Sequence, residues 1–224
     1  MSFSSPRLAR RTFALAAASS LAAWSGFARA TERTGIHLLP LGGGIPEREV
    51  ELVRRALEAV YSSSVTVMPR VELPRSAFYA ARSRYRAEKL LEFLRPRLPD
   101  GALRIAGITA SDISTTKGPH ADWGILGLAT IDGAVCVLST FRCHRGAKSA
   151  EHARIRFAKT AVHELGHTFG LEHCPNRGCL MEDGGGSVLT TDRERDLCAV
   201  CRKRLSERGV LRMPRRALPW DNDM

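Results

Sequence analysis

Residues 163–173 read His-Glu-Leu-Gly-His-Thr-Phe-Gly-Leu-Glu-His. Histidines four residues apart on a helix lie one above the other on a single face. Their separation along the axis is one pitch, about 5.4 Å, which suits two ligands of one metal ion. Neutral imidazole is a good zinc ligand. Glu164, beside the first of them, can reach a water activated by the metal without being a ligand, which is the position of a general base. Gly170 lets the chain leave the helix sharply, so His173 can return as a third ligand. Three histidines leave a fourth zinc position open, as a catalytic site needs. The string therefore calls for a long helix ending at Gly170 and a loop that folds back beneath it.

The preceding sequence supplies that helix. Ser149 is a suitable N-cap, and Glu151 lies in the first turn. Ile155, Ala158, Val162, Leu165 and Phe169 are spaced 3, 4, 3, 4 and predict one core-facing stripe. Upstream, strands and helices alternate. Residues 35–41 predict a buried strand. Pro46 suits a first helical turn, with Val50, Val53, Leu57 and Val60 on one face. Residues 65–68 predict a strand continuing toward Leu73, and residues 83–95 a second helix ended by Pro96 and Pro99. Residues 103–109 predict a third strand. Residues 126–131 and 134–141 flank Asp132-Gly133, a two-residue hairpin signal. A last helix is expected over 192–205. Alternating elements with one antiparallel pair predict an α/β domain with a mixed, twisted sheet.

Four of the six cysteines follow the histidines. Cys174 and Cys179 are separated by four residues, and Cys198 and Cys201 by two. Such spacings are used by four-thiolate structural zinc sites. Two disulfides are the alternative that export would permit. A closed second zinc would tie the loop after His173 to the last helix. Cys136 lies in an apolar strand as a small core residue, and pairing it with Cys143 would require the chain to turn back. Cys143-His144 could suggest another ligand pair, but no further ligand is near in sequence, and His37, His120 and His152 read as structural or solvated.

The extended string His163-Glu164-x-x-His167-x-x-Gly170-x-x-His173 resembles the metzincin zinc peptidases. The direct continuation into Cys174, then Cys179-x-Met181 and the later Cys198-x-x-Cys201, resembles the archaemetzincin family. The 16 residues from Glu182 to Leu197 are one fewer than the family's usual spacing. The resemblance implies a metzincin-like catalytic domain over 31–206, with a long active-site helix and a helical C-terminal part stapled by a second zinc. It implies His163, His167 and His173 as catalytic zinc ligands and Glu164 as base. Cys174, Cys179, Cys198 and Cys201 would hold the structural zinc, two Zn²⁺ per chain in all. Met181 would be the methionine beneath the metal, a support as Gly170 is. Peptide or protein substrates follow, lying extended along an edge strand for which 126–131 is the candidate. Amino-terminal trimming and internal cutting both stay open.

Residues 1–30 read differently from the rest. Arg10-Arg11, an uncharged Ala- and Ser-rich stretch to Arg29, and Ala28-Arg29-Ala30 form the pattern of a cleaved twin-arginine signal peptide. A periplasmic or secreted protein is expected, with no stable membrane insertion after cleavage. Folding before export would load zinc in the reducing cytoplasm, which favours zinc over disulfides at the cysteines. The formal charge of +11 is partly this segment's four arginines. A basic chain with a four-cysteine metal site also admits a nucleic-acid zinc ribbon, but the signal peptide argues against it and no nucleic-acid partner is expected. An exported zinc-binding protein of the same fold without peptidase activity is the remaining alternative, against which Glu164 speaks. The tail, 207–224, with two prolines and many charges, is expected to be loose.

Overall fold

The computed structural model describes Met1 and residues 34–221. Residues 2–30 of the expected signal peptide, and the last three of the tail, lie outside the described residues. The chain divides into two units, Met1–Thr31 and Glu32–Met224, and every secondary-structure element described belongs to the second. These are β1 (Thr34–Leu41), α1 (Glu47–Val60), β2 (Val65–Val67), β3 (Phe78–Tyr79), β4 (Arg84–Arg86), α2 (Ala87–Leu94) and β5 (Ala102–Thr109). Then come β6 (Ile113–Lys117), β7 (His120–Ile125), β8 (Gly127–Ala129), β9 (Val135–Ser139), α3 (Ala150–Thr168), α4 (Thr190–Arg193) and α5 (Ala199–Glu207). No described helix is long and apolar enough to cross a membrane.

A five-stranded sheet in the order β2-β1-β5-β9-β8 carries the domain. Its first four strands are parallel and β8 runs antiparallel to β9, so the sheet is mixed as expected. Strands buried on both faces read as near-continuous apolar runs, and Ile36–Leu41 and Val135–Leu138 do so. Alternate residues serve the two faces. Ile36, Leu38, Ala106, Ile108, Cys136 and Leu138 pack toward α1 and α3. Leu39, Leu41, Ile105, Val135 and Val137 pack toward α2. The hairpin between β8 and β9 turns at Asp132, which adopts a left-handed φ of 53°.

A second sheet, β3-β4-β6-β7, departs from the sequence reading. Residues 113–125 carry little period-2 apolar signal because the sheet is half exposed, so its strands are polar. The expected helix over 83–95 begins only at Ala87. Ser83 is left-handed at φ 49°, and Arg84–Arg86 instead pair with β3 and β6. The expected helix over 192–205 is also divided. Residues 194–198 are held extended against the cysteine loop, by Arg195 N–H to Gly178 O (2.9 Å) and Leu180 N–H to Asp196 O (3.1 Å). The edge strand expected at 126–131 is shorter, Gly127–Ala129.

The tail is not loose over residues 207–221. Leu211 bridges to Tyr61, and Arg212 N–H donates to Val60 O at 2.8 Å. Arg215 pairs with Asp196 and Asp221. Trp220 is buried, its indole N–H donating to Arg195 O at 2.9 Å. Proline and charge content misled because the apolar anchors, Leu218 and Trp220, are few and widely spaced.

α3 is capped as expected, the Ser149 hydroxyl accepting from His152 N–H at 3.0 Å. Beside its apolar stripe lie two buried cations. Arg156, 1% exposed, forks onto Asp192 (2.7 and 2.8 Å) and donates to the carbonyls of Cys143 and Arg145. Lys159 donates to the carbonyls of Thr191 and Glu194. Together they fasten residues 190–194 to the helix. The hydrogen bond from Arg156 holds the Asp192 carboxyl down to about 2. A depressed carboxyl stabilises the fold above its unfolded pKa of about 3.9, and that contribution is lost as pH falls through about 2. Asp192→Asn is therefore expected to lower stability at pH 7 by about 2 kcal/mol, since it leaves Arg156 buried without its counter-ion. It should also flatten the fall in stability between pH 4 and pH 2. Chemical denaturation of both proteins across that range checks this. A variant that retains the wild-type slope there would refute it.

Candidate active site

The long helix and the turn after it bring three imidazoles together. α3 ends at Thr168, and Gly170, at φ +76°, turns the chain out of it. Arg104 closes the helix end, donating to Thr168 O at 3.0 Å and stacking over Phe169. The ligand atoms of His163, His167 and His173 all lie within 4.8 Å of one another. His163 Nδ1 is 2.7 Å from Leu180 O, and His167 Nδ1 is 2.6 Å from Leu171 O. A carbonyl only accepts, so each Nδ1 must carry the proton. Both Nε2 atoms are then bare lone pairs, yet they face each other at 3.0 Å. Two lone pairs so placed repel unless a cation lies between them. Burial pushes the His163 ring down to about 3, with His167 beside it adding to the shift, and lowers His167 as well. Both rings are neutral at physiological pH, which is the ligating form. His173 completes the triad from the exposed side, with its Nδ1 3.9 Å from Asp183.

Glu164 is buried beside His163, on the wall formed by the edge of the main sheet. A Cβ at Gly127 would fall 2.5–2.6 Å from its carboxyl arm, so only glycine at the head of β8 leaves room for it. The sequence gives no sign of this contact, because Gly127 lies 37 positions upstream and belongs to no motif. Burial pushes the Glu164 carboxyl up to about 8. Met181 is buried under the same helix turn, its sulfur 2.6 Å from where a Cβ on Gly166 would stand. The cleft in front of the triad has a volume of about 380 Å³ and is bordered by β7, β8 and residues 184–194.

The second cluster begins at the residue after His173. The Sγ atoms of Cys174, Cys179, Cys198 and Cys201 are within 4.8 Å of one another. Cys174–Cys198 and Cys179–Cys201 are each 3.7 Å apart, and all six cysteines are free. A disulfide needs about 2.05 Å. The edge of a tetrahedron of sulfurs at about 2.3 Å from zinc is about 3.75 Å. N–H groups point at three of the sulfurs: Asn176 N and Nδ2 at Cys174 and Cys198, and Met181 N and Cys198 N at Cys179. The Cys179 thiol is pushed down, first by the Cys201 thiol and then by these backbone donors. These two groups are the only sets of three or more potential ligands found among the described residues. Cys136 and Cys143 are buried in the core and His144 is exposed, so that pair makes no site.

The family model for Peptidase family M54 matches residues 47–207. The chain belongs to this family. Curated relatives include the archaemetzincin of Haloquadratum walsbyi, 35% identical over 177 residues that cover 76% of this chain and 98% of the relative. Among solved structures, the archaemetzincin of Methanopyrus kandleri is 31% identical with a TM-score of 0.68, covering 80% of this chain and 96% of that one. The archaemetzincin of Archaeoglobus fulgidus, solved in complex with malonate, is 30% identical with a TM-score of 0.65, covering 76% and 99%. As a member of Peptidase family M54, the chain is a zinc-dependent peptidase whose substrates are peptides or proteins.

Proposed function

We propose that His163, His167 and His173 hold one zinc ion, that Glu164 is the general base of peptide hydrolysis, and that Cys174, Cys179, Cys198 and Cys201 hold a second, structural zinc. The observation that carries the catalytic site is the pair of bare Nε2 atoms 3.0 Å apart, each fixed by a carbonyl on its other nitrogen. Such outer partners orient imidazoles toward a metal. The two Sγ–Sγ distances of 3.7 Å, close to a tetrahedral edge, and the N–H donors around the sulfurs support the second site. Zinc, when held by the triad, supplies Lewis acidity for a peptide carbonyl and acidifies water to near neutrality.

The remaining work falls to the chain. Glu164 takes a proton from the attacking water and returns it to the leaving amine. Burial raises its carboxyl toward the working pH of a base that must also act as an acid. β8 is the outermost strand of the main sheet and borders the cleft. An extended substrate can add to it through backbone hydrogen bonds, giving affinity without sequence choice. Met181 and Gly170 support the ligands from below and behind.

The test is zinc per chain alongside cleavage of a peptide library. Wild type should bind two zincs and lose activity to a chelator, with Zn²⁺ restoring it. His167→Ala should bind one zinc and cleave nothing. A His167→Ala protein that keeps both zincs and its activity would sink the triad assignment.

Export is proposed on Arg10-Arg11 and Ala28-Arg29-Ala30. Protein recovered from its host should begin at Thr31, and replacing both arginines by Lys should leave precursor in the cytoplasm. Undiminished export of the double variant would remove the twin-arginine route.

A further inference from the structure

The cleft has a cationic wall that peptide hydrolysis itself does not require. Arg142 follows β9 in the short 3₁₀ turn Phe141–His144 and borders the cleft. Its Nε and Nη2 donate to the two carboxylate oxygens of Asp112 at 2.7 and 3.0 Å. Arg142 is 12% exposed and Asp112 7%, so the guanidinium is fixed rather than waving in solvent. A guanidinium has five N–H donors in a rigid fork. Asp112 occupies the side edge and two of them. Nη1 makes no hydrogen bond among the described residues, and with the second hydrogen of Nη2 it forms the edge that can receive a carboxylate bidentately.

The placement is built in. The guanidinium rests on Gly124 of β7, and a Cβ there would collide with it. Charge around it is not neutralised. Asp112 is shared with Arg84 at 3.2 Å, and Arg84 in turn shares Asp122 with Arg86. Lys117 and Arg145 also line the cleft, exposed and without ion pairs among the described residues. Of the cleft's acids other than Glu164, Glu182 is engaged by Arg193 and by Gly178 N–H. Glu194 is buried, which pushes its carboxyl up to about 8. On the same wall the indole N–H of Trp123 is buried without a hydrogen-bond partner among the described residues, a further donor for an acceptor-rich ligand.

We infer that Arg142 is a specificity-determining residue that receives a carboxylate of the peptide substrate, either an acidic side chain near the scissile bond or the C-terminal carboxylate. The inference rests on the peptidase reading of the triad and Glu164. Gly127 abuts Glu164 and Gly124 abuts Arg142, and three residues of chain span at most about 10 Å. That is the reach of a side chain, or a chain end, one to three residues from the reacting carbonyl of an extended peptide.

Two comparisons test it on the zinc-loaded protein. Peptides blocked at both ends are scanned with Glu against Gln at each position, and peptides with a free C-terminus are compared with their amides. The readouts are the ratio of kcat/KM within each pair for wild type, and the ratio of Kd by calorimetry on the Glu164→Gln protein. A charge-assisted hydrogen bond predicts a preference for the carboxylate of about 10- to 100-fold in one arm. The arm that shows it names the source. In Arg142→Gln the ratio should fall to within about twofold of unity, and because it is a ratio, a general loss of activity cancels. If that variant does not fold, Arg142→Lys, which keeps a charge for Asp112 but loses the fork, should reduce the ratio several-fold. Wild-type ratios below about two in both arms overturn the inference, as does a preference that survives loss of the guanidinium. Cleavage without charge preference defeats this inference alone. Carboxylate-selective binding without any cleavage defeats the hydrolytic reading and leaves this one standing.

Discussion

Glu164→Gln is expected to retain the zinc content of wild type and to lower kcat for any cleaved peptide by a factor on the order of 10² or more. Glutamine matches the carboxylate in shape, so it fits the space that Gly127 leaves without moving β8. It cannot accept a proton, so the attacking water loses its base. A hundredfold loss corresponds to about 2.7 kcal/mol of transition-state stabilisation. Because the imidazoles and their carbonyl partners at Leu171 and Leu180 are untouched, metal binding should not follow activity down. The two quantities separate a base from a ligand: His167→Ala loses both, Glu164→Gln only one. A Glu164→Gln protein that cleaves as fast as wild type would show that the carboxylate has no part in the chemistry.

Cys198→Ser is expected to lower the thermal midpoint far more than Glu164→Gln does. A closed thiolate site contributes its metal-binding free energy directly to folding. Cys198 also receives the Asn176 amide and stands at the head of α5, so its loss frees both the loop 174–179 and the last helix. Even a few kcal/mol would shift the midpoint by about 10 °C in a domain of this size. Thermal melts of the two purified variants, with zinc counted in each, make the comparison. Equal midpoints would remove the structural-zinc assignment, as would disulfides mapped among these cysteines in exported protein. His173 is joined to Cys174 by a single peptide bond, so the same variant should also weaken zinc at the triad.

What the sequence disclosed followed the strength of its local signals. The spacing of His163, His167, Gly170 and His173 is enforced by helix pitch and one left-handed turn, so the triad was legible before any fold was known. The parallel strands were legible because burial on both faces leaves unbroken apolar runs. The small sheet was not, because Arg84–Arg86 and Ile113–Lys117 are held by cross-strand pairing and ion pairs that leave no periodicity in either segment. The packed tail and the Gly127–Glu164 contact were hidden for a related reason. Each depends on a partner distant in sequence, and a single Trp or Gly carries no pattern. Nothing in the sequence marks Arg156 and Lys159 as buried, because acceptors that hold them lie in residues 190–194.

One connection in the fold bears on what such an enzyme can cut. β7 and β8 border the same cleft but belong to different sheets, and only Leu126 separates them. The carbonyl of Leu126 is itself pinned to Ser139 N–H at 2.8 Å. This side of the cleft is therefore one continuous backbone, and moving β7 away from β8 would mean shearing one sheet against the other rather than swinging a hinge. If the substrate lies extended along this backbone, as proposed above, only a segment released from its native fold can be presented to it. Cleavage of a folded target should then proceed no faster than that target's own segments open, so susceptibility would be ranked by the local unfolding equilibria of the substrates rather than by their abundance of suitable sequences.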